Sequence, residues 1–409
     1  MSAPASGEIL FNPFDPAFRA NPYPFYDRLR EQAPVYPTPF GNTVLSRYED
    51  VAHTLRSGDF SRDVTANAEE PTGEVAQRRR ERGRGRTKNI LNLDPPDHTR
   101  LRRIVTKAFT PTTIEALRPR IQGLVDGILD RAAERGTMEL VDELAFPVPF
   151  QVISDMLAMP TERADELRDW SQTLTASLEP TADEATLQAA EEAAVRFGEY
   201  TSQVIADRRS HLGGDLLSAL IQAEEAGDRM TEAELLSFVN LLYVAGHETT
   251  VNLIGNGTLA LLRNPDQLKL WRETPELDAN AVDELLRFDG PVQMTVRVPM
   301  VPVAYRVGDD DVVVPARSLV TTLLGAANHD PSVFDDPHAL RLDRPNANRH
   351  LAFAAGIHYC LGSSLARLEA QVAIGSLIRR FDTIELAGEP GWRDRLTIRG
   401  VDHLPLEVS

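Results

Sequence analysis

Helical spacing of apolar residues dominates this chain, and between Thr112 and Pro265 it is almost the only pattern. The clearest element runs from Thr231 to Leu262. Thr231 and Glu234 are spaced as a capping box at its start, and Asn264-Pro265 closes it. At 1.5 Å per residue it would span roughly 48 Å, enough to cross a large domain. Apolar residues lie nearly all round it, the mark of a helix buried through a core. Asn240, His247, Glu248, Asn252 and Asn256 interrupt that surface and argue against a membrane span. Alternating or β-branched runs fall in three places: residues 35–48 with Gly41-Asn42 as a turn, residues 296–322 broken at Gly308-Asp309, and residues 381–408. No internal repeat or linker divides the chain. These patterns predict a mostly α protein with small β-sheets, folded as one large domain over residues 1–409.

Charge and cysteine usage narrow the partners. A formal net charge of −18 argues against nucleic acid, which selects basic surfaces. A single cysteine excludes an intramolecular disulfide and fits a reducing cytoplasm. Residues 1–14 show no basic region followed by an apolar stretch, and no apolar run reaches transmembrane length. The expectation is a soluble, cytoplasmic protein with no membrane contact, monomeric by default.

The one cysteine carries the most chemistry. It stands in Phe353-Ala-Ala-Gly-Ile-His-Tyr-Cys360-Leu-Gly-Ser-Ser-Leu-Ala-Arg367, and Leu361 to Glu369 has the composition of a helix start. A thiolate at that junction would face unpaired N–H groups and the positive end of the helix, which favour the deprotonated form. Gly356 and Gly362 would let the backbone turn tightly and approach a flat, bulky group. A cysteine serving as a small hydrophobe explains none of these neighbours.

The ordered pattern Phe-x-x-Gly-x-His-x-Cys-x-Gly-x-x-Leu-Ala-Arg resembles the heme-ligand loop of the cytochrome P-450 family. The resemblance implies heme b, held between the long central helix and the cysteine-loop helix, with Cys360 as the axial thiolate on iron. It further implies that His358 bonds a heme propionate and that Phe353 packs beside the sulfur. Ala354 stands where the family usually has glycine, a departure expected to cause only slight local rearrangement.

Other motifs follow in family order. Ala245-Gly-His-Glu-Thr-Thr250 resembles the oxygen-activation motif. There Ala245 leaves room for dioxygen, and Thr249 bonds back to the carbonyl four residues earlier, opening the helix into a groove for water. Glu248 supplies an acid near the resulting proton relay, while thiolate donation from the other face assists O–O cleavage. His98 and Arg102, one turn apart in Asp94-Pro-Pro-Asp-His-Thr-Arg-Leu-Arg-Arg103, match a propionate-binding pair, and Arg297 matches a third propionate ligand. Glu284-Leu-Leu-Arg287 matches a buried structural pair completed by Arg344, whereas His329 replaces the family's usual arginine. Arg100, Arg103 and Lys107 fall on the opposite face of the His98 helix. They read equally as a solvated face or as a basic stripe for an acidic electron donor.

The implied activity is a heme-thiolate monooxygenase hydroxylating or epoxidising a hydrophobic small molecule of the polyketide, terpenoid, steroid or fatty-acid class. Dioxygen and electrons from NAD(P)H would be needed. The chain shows no reductase domain, so ferredoxin and a ferredoxin reductase are the expected donors. Pocket walls are expected from Ile90, Leu91, Phe238, Leu242 and residues 291–294. The basic block Arg78–Lys88 reads as a solvated loop, or as an attractor of acidic substrates if it overlies the pocket. Two alternatives remain, a peroxide-driven heme-thiolate enzyme and a non-catalytic heme sensor or carrier. The adjacent Glu248 and Thr249 count against both.

Overall fold

The computed structural model describes residues 9–67, 88–225 and 230–409. Its axis is the helix Glu232–Leu262, capped as the sequence predicts. The Thr231 hydroxyl accepts the Glu234 N–H at 3.2 Å, and the Glu234 carboxylate accepts the Thr231 N–H at 2.8 Å. Every residue from Thr250 to Leu261 is buried, so this half runs through the core rather than along it. The helices Pro147–Met156, Glu184–Arg209, Asp278–Asp289 and Ser363–Arg380 pack around it. A Cβ at Gly257 would stand 2.9 Å from Leu285 and 3.1 Å from Ile374. The missing side chain therefore lets the central helix, the Asp278–Asp289 helix and the Ser363–Arg380 helix meet at close range.

Among the described residues, twelve short strands complete the fold. The hairpin β1 (Val35–Pro37) and β2 (Asn42–Leu45) turns at Gly41, whose φ of 85° suits glycine. It joins β3 (Phe60–Ser61), β5 (Met294–Pro299) and β8 (Leu319–Leu323) in a sheet ordered β1-β2-β8-β5-β3. β6 (Val303–Val307) and β7 (Asp310–Val314) form a separate hairpin turning at Gly308. Near the C-terminus, β10 (Gly391–Trp392) pairs with β11 (Val401–His403), and β12 (Pro405–Val408) with β9 (Ile384–Leu386).

β12 also pairs with β4 (Thr137–Glu139), the one described strand in the almost wholly helical stretch between Thr112 and Pro265. Three residues are too few to display alternation, and their extended form is imposed by a strand from the far end of the chain. The sulfur-bearing loop is adjusted: its helix is Ser363–Arg380, with Leu361 and Gly362 still outside it.

Below the cysteine loop, Glu284 is fully buried between two arginines. Arg287 grips it bidentately at 2.7 and 2.8 Å, and Arg344 Nε lies 3.1 Å from both carboxylate oxygens. The remaining guanidinium N–H groups donate to backbone carbonyls of Asn328, Pro337, Asp336 and Ala339. A buried charge cluster survives only with this degree of satisfaction. His329 is buried too, donating through Nε2 to the Phe288 carbonyl, 2.8 Å away, and stacking on Tyr23.

Candidate active site

One recess lies between the central helix and the cysteine loop, with about 1440 Å³ of empty space counting its mouth. Cys360, Leu361, Gly362, Phe353, Ala354 and His358 form one wall. Ala245, Gly246, Thr249 and Thr250 form the facing wall.

The cysteine wall is shaped by backbone geometry. The Cys360 N–H donates to the Phe353 carbonyl at 3.0 Å, closing the loop, and Phe353 is covered by the Arg367 guanidinium at 4.6 Å. Sγ is open to the recess but otherwise enclosed by protein. Burial pushes the thiol up, and the Gly362 N–H, Arg102 and Arg367 offset this only in part. The helix end favours the thiolate, as its placement predicts, but desolvation is the larger effect.

The two glycines part company. Gly362 lines the recess with an ordinary φ of −84°. Gly356 has φ +74° and does not line it; a Cβ there would sit 2.3 Å from the Leu55 carbonyl oxygen. The sequence assigned Gly356 to the cofactor. Its close neighbour is instead the helix Tyr48–Arg56, on which the loop is seated. Ala354, also at positive φ (57°), shows why glycine suits that position.

On the facing wall, Thr249 Oγ1 donates to the Ala245 carbonyl at 3.1 Å, as its position predicts. Glu248 points away from the recess and is buried against Arg393, whose Nη1 is 3.0 Å from Oε2, with His247 Nε2 3.6 Å from Oε1. Burial alone would raise the Glu248 carboxyl. His247, Arg393 and Arg395 together hold it below its usual range. Sequence reading expected an acid; in this environment it is a paired carboxylate. Neither Arg393 nor Glu369 was foreseen. Glu369, on the cysteine helix, is fully buried, and burial pushes its carboxyl well above the usual range, opposed in part by the Thr250 hydroxyl.

A third wall is cationic. Arg102 and Arg297 line the recess, and Arg102 Nη2 donates to the Tyr359 carbonyl at 2.6 Å. His98 stands one layer behind, its ring 4.3 Å from that of His358. Both Nε2 atoms are buried without a partner among the described residues. Burial first, then neighbouring His98, Arg297, Arg62 and Arg102, lowers His358 to about 3; burial and Arg62 lower Arg297 to about 9. Arg62, also absent from the sequence expectations, lies on this wall.

Of the expected substrate walls, Ile90, Leu91, Phe238, Leu242, Pro291 and Val292 line the recess, but Gln293 and Met294 do not. Gln293 Nε2 donates to the Gly290 carbonyl at 2.7 Å, and Met294 packs in a separate cluster. Strand alternation in β5 sends Thr295 and Arg297 to the recess instead. On the opposite face of the His98 helix, Arg103 and Lys107 are exposed, whereas Arg100 is taken up by Glu234 at 2.5 Å and Asp97 at 3.1 Å. The basic block lies outside the described residues except for Lys88, which pairs with Asp63 at 2.5 Å.

The chain matches the family model described as Cytochrome P450 over residues 35–393. It belongs to the cytochrome P450 family. Cytochrome P450 107B1 of Saccharopolyspora erythraea is 42% identical, with 96% of each chain covered. Cytochrome P450 monooxygenase PikC of Streptomyces venezuelae is 40% identical, covering 95% of this chain and 91% of its own. Among solved structures, ligand-free CYP164A2 of Mycobacterium smegmatis superimposes with a TM-score of 0.88 at 37% identity, over 97% of this chain and 98% of that one.

This cytochrome P450 is thus a heme monooxygenase, and its family binds heme through a cysteine thiolate; the chain's one cysteine is Cys360. The recess fits that group. Its cationic wall carries orphaned imidazole nitrogens and desolvated guanidinium groups that call for carboxylates, and the thiol opens on the same space. No helix among the described residues is long and apolar enough to cross a membrane.

Proposed function

We propose that this cytochrome P450 hydroxylates or epoxidises a hydrophobic small organic molecule, using dioxygen and electrons relayed from NAD(P)H by a ferredoxin reductase and a ferredoxin. The supporting observation is a recess in which Cys360 and the Ala245–Thr249 turn of the central helix face one another between apolar walls and one cationic wall. Bound there, heme would supply the redox chemistry that activates dioxygen. Cys360 is its proposed thiolate ligand, with Phe353 and Gly362 beside it. Arg102, Arg297, His98 and His358 are proposed to hold its carboxylates.

The chain's own part is then to place substrate and govern protons. Ile90, Phe238, Leu242 and Leu286 offer apolar contacts that exclude water and favour a hydrophobic guest. Ala245 keeps the wall low. Thr249, tied to the Ala245 carbonyl, has oxygen lone pairs left to orient a water or hold a proton at Oγ1. Glu248 would return protons to Thr249 from the Arg393 side, its carboxylate kept ionised by its partners. Arg103 and Lys107 leave positive charge exposed near the Cys360 side, suited to an acidic donor.

Product formation should be compared with ferredoxin and its reductase, with hydrogen peroxide alone, and with neither. Turnover only with the protein donors is the expected result; peroxide alone supporting equal rates would replace this reading with a peroxide-driven one. The variant Thr249→Ala should bind substrate normally while diverting most reducing equivalents to free peroxide. Unchanged coupling would remove Thr249 from proton handling.

A further inference from the structure

Arg62 has no partner that accounts for its position. It lies on the cationic wall, and burial lowers its pKa. A guanidinium offers five N–H donors, yet among the described residues this one makes a single side-chain hydrogen bond, a long one from Nη1 to the Val296 carbonyl at 3.3 Å. Its surroundings make the placement costlier. β3 and β5 pair with Phe60 opposite Pro299 and Ser61 opposite Val298. One step further, the same register sets Arg62 opposite Arg297. Like charges facing each other across a strand pair repel, and Arg297 feels Arg62 as a charge that lowers it.

The backbone fixes Arg62 there. Its N–H donates to Asp94 Oδ1 at 3.0 Å, and the Ser61 hydroxyl bonds the other carboxylate oxygen. The Asp94 carbonyl in turn accepts the His98 N–H at 3.0 Å. The Asp94 carboxylate is thereby spent on backbone and hydroxyl, and it ties the Arg62 strand to the helix Asp97–Thr106 that carries His98 and Arg102. Two arginines are held side by side in a desolvated wall, with no carboxylate among the described residues hydrogen-bonded to either.

We infer that Arg62 is a further anchor for the heme, holding a propionate carboxylate jointly with Arg297. The inference rests on the reading that the cationic wall receives the heme carboxylates. An anion between the two guanidinium groups converts their repulsion into two charge-assisted bonds, and in a desolvated setting such bonds are strong. The loss of Arg62 leaves Arg297 to neutralise that carboxylate alone.

The test uses purified ferric holoenzyme of wild type, Arg62→Gln and Arg62→Lys. Each is first checked for the reduced carbon-monoxide band of thiolate ligation; its absence from wild type would fault the heme-site reading rather than Arg62. Transfer of heme to excess apomyoglobin should then be about tenfold or more faster for Arg62→Gln, the size expected for one charge-assisted bond. Arg62→Lys should restore most of the retention. The substrate-free midpoint potential of Arg62→Gln should fall, because a positive charge near the iron has been removed; a merely structural role would not be rescued by lysine and would not shift the potential in that direction. Heme transfer within twofold of wild type with an unchanged potential overturns the inference. So does intact heme retention combined with weakened binding of carboxylate-bearing ligands such as fatty acids, which would assign Arg62 to substrate.

Discussion

The loop that carries Cys360 contains two left-handed residues, Ala354 at φ 57° and Gly356 at φ 74°, and their reciprocal exchange should give unequal outcomes. In Gly356→Ala the new Cβ lies 2.3 Å from the Leu55 oxygen and 3.1 Å from the Arg56 Cα. Both are backbone atoms, so no rotamer change relieves the overlap. Left-handed geometry costs about 1–2 kcal/mol and overpacking about 1–3 kcal/mol. The restricted unfolded chain returns about 0.4–1 kcal/mol. The net loss is about 1–5 kcal/mol. Ala354→Gly relieves the same roughly 1–2 kcal/mol of strain. It forfeits about 0.4–1 kcal/mol of chain entropy and about 0.8 kcal/mol of methyl packing, which leaves it within about 1 kcal/mol of wild type. Urea unfolding of the holoenzyme, followed by circular dichroism and by the Soret band, measures both. Gly356→Ala should unfold at lower urea and lose thiolate ligation first, since the loop can yield only by leaving the Tyr48–Arg56 helix. A wild-type midpoint for Gly356→Ala, or a loss above about 2 kcal/mol for Ala354→Gly, would refute the geometric reasoning.

Two further predictions concern buried charge. Glu369 is protonated in the folded state at pH values where the unfolded chain has lost that proton. Wild-type stability should therefore decline relative to Glu369→Gln as pH rises above the unfolded carboxyl range, by about tenfold in the unfolding constant per pH unit until the folded group ionises. A difference that is flat between pH 5 and 8 in denaturant titrations would exclude a neutral Glu369. Glu284→Gln strips the counter-charge from Arg287 and Arg344 while preserving shape, and should cost about 3–5 kcal/mol or abolish soluble expression. A double variant with Arg344→Met should recover part of the loss; failure to recover would mean that the carboxylate's partners are not the source of its importance.

Much of this protein was legible from local pattern. The capping box at Thr231, the apolar circumference of the central helix, the glycine turns at Gly41 and Gly308 and the Thr249 back-bond to Ala245 all depend on residues a few positions apart. The cysteine loop belongs to the same class, because its motif is contiguous. Which faces those elements turn to one another was a different matter. β4 owes its conformation to β12. Gly356 is required by Leu55, three hundred residues earlier in the chain, and not by the recess. Glu248 is held as a carboxylate by His247 beside it and by Arg393, which comes back from the C-terminal region to meet it. Arg62 and Arg297 became neighbours only through strand register. Sequence by itself determined the helical architecture and the identity of the thiolate loop, since backbone propensity and short motifs are local. The charge states, the close approaches and the membership of the cavity walls were decided by tertiary structure, because burial and Coulomb partners arise only when distant segments share a desolvated space.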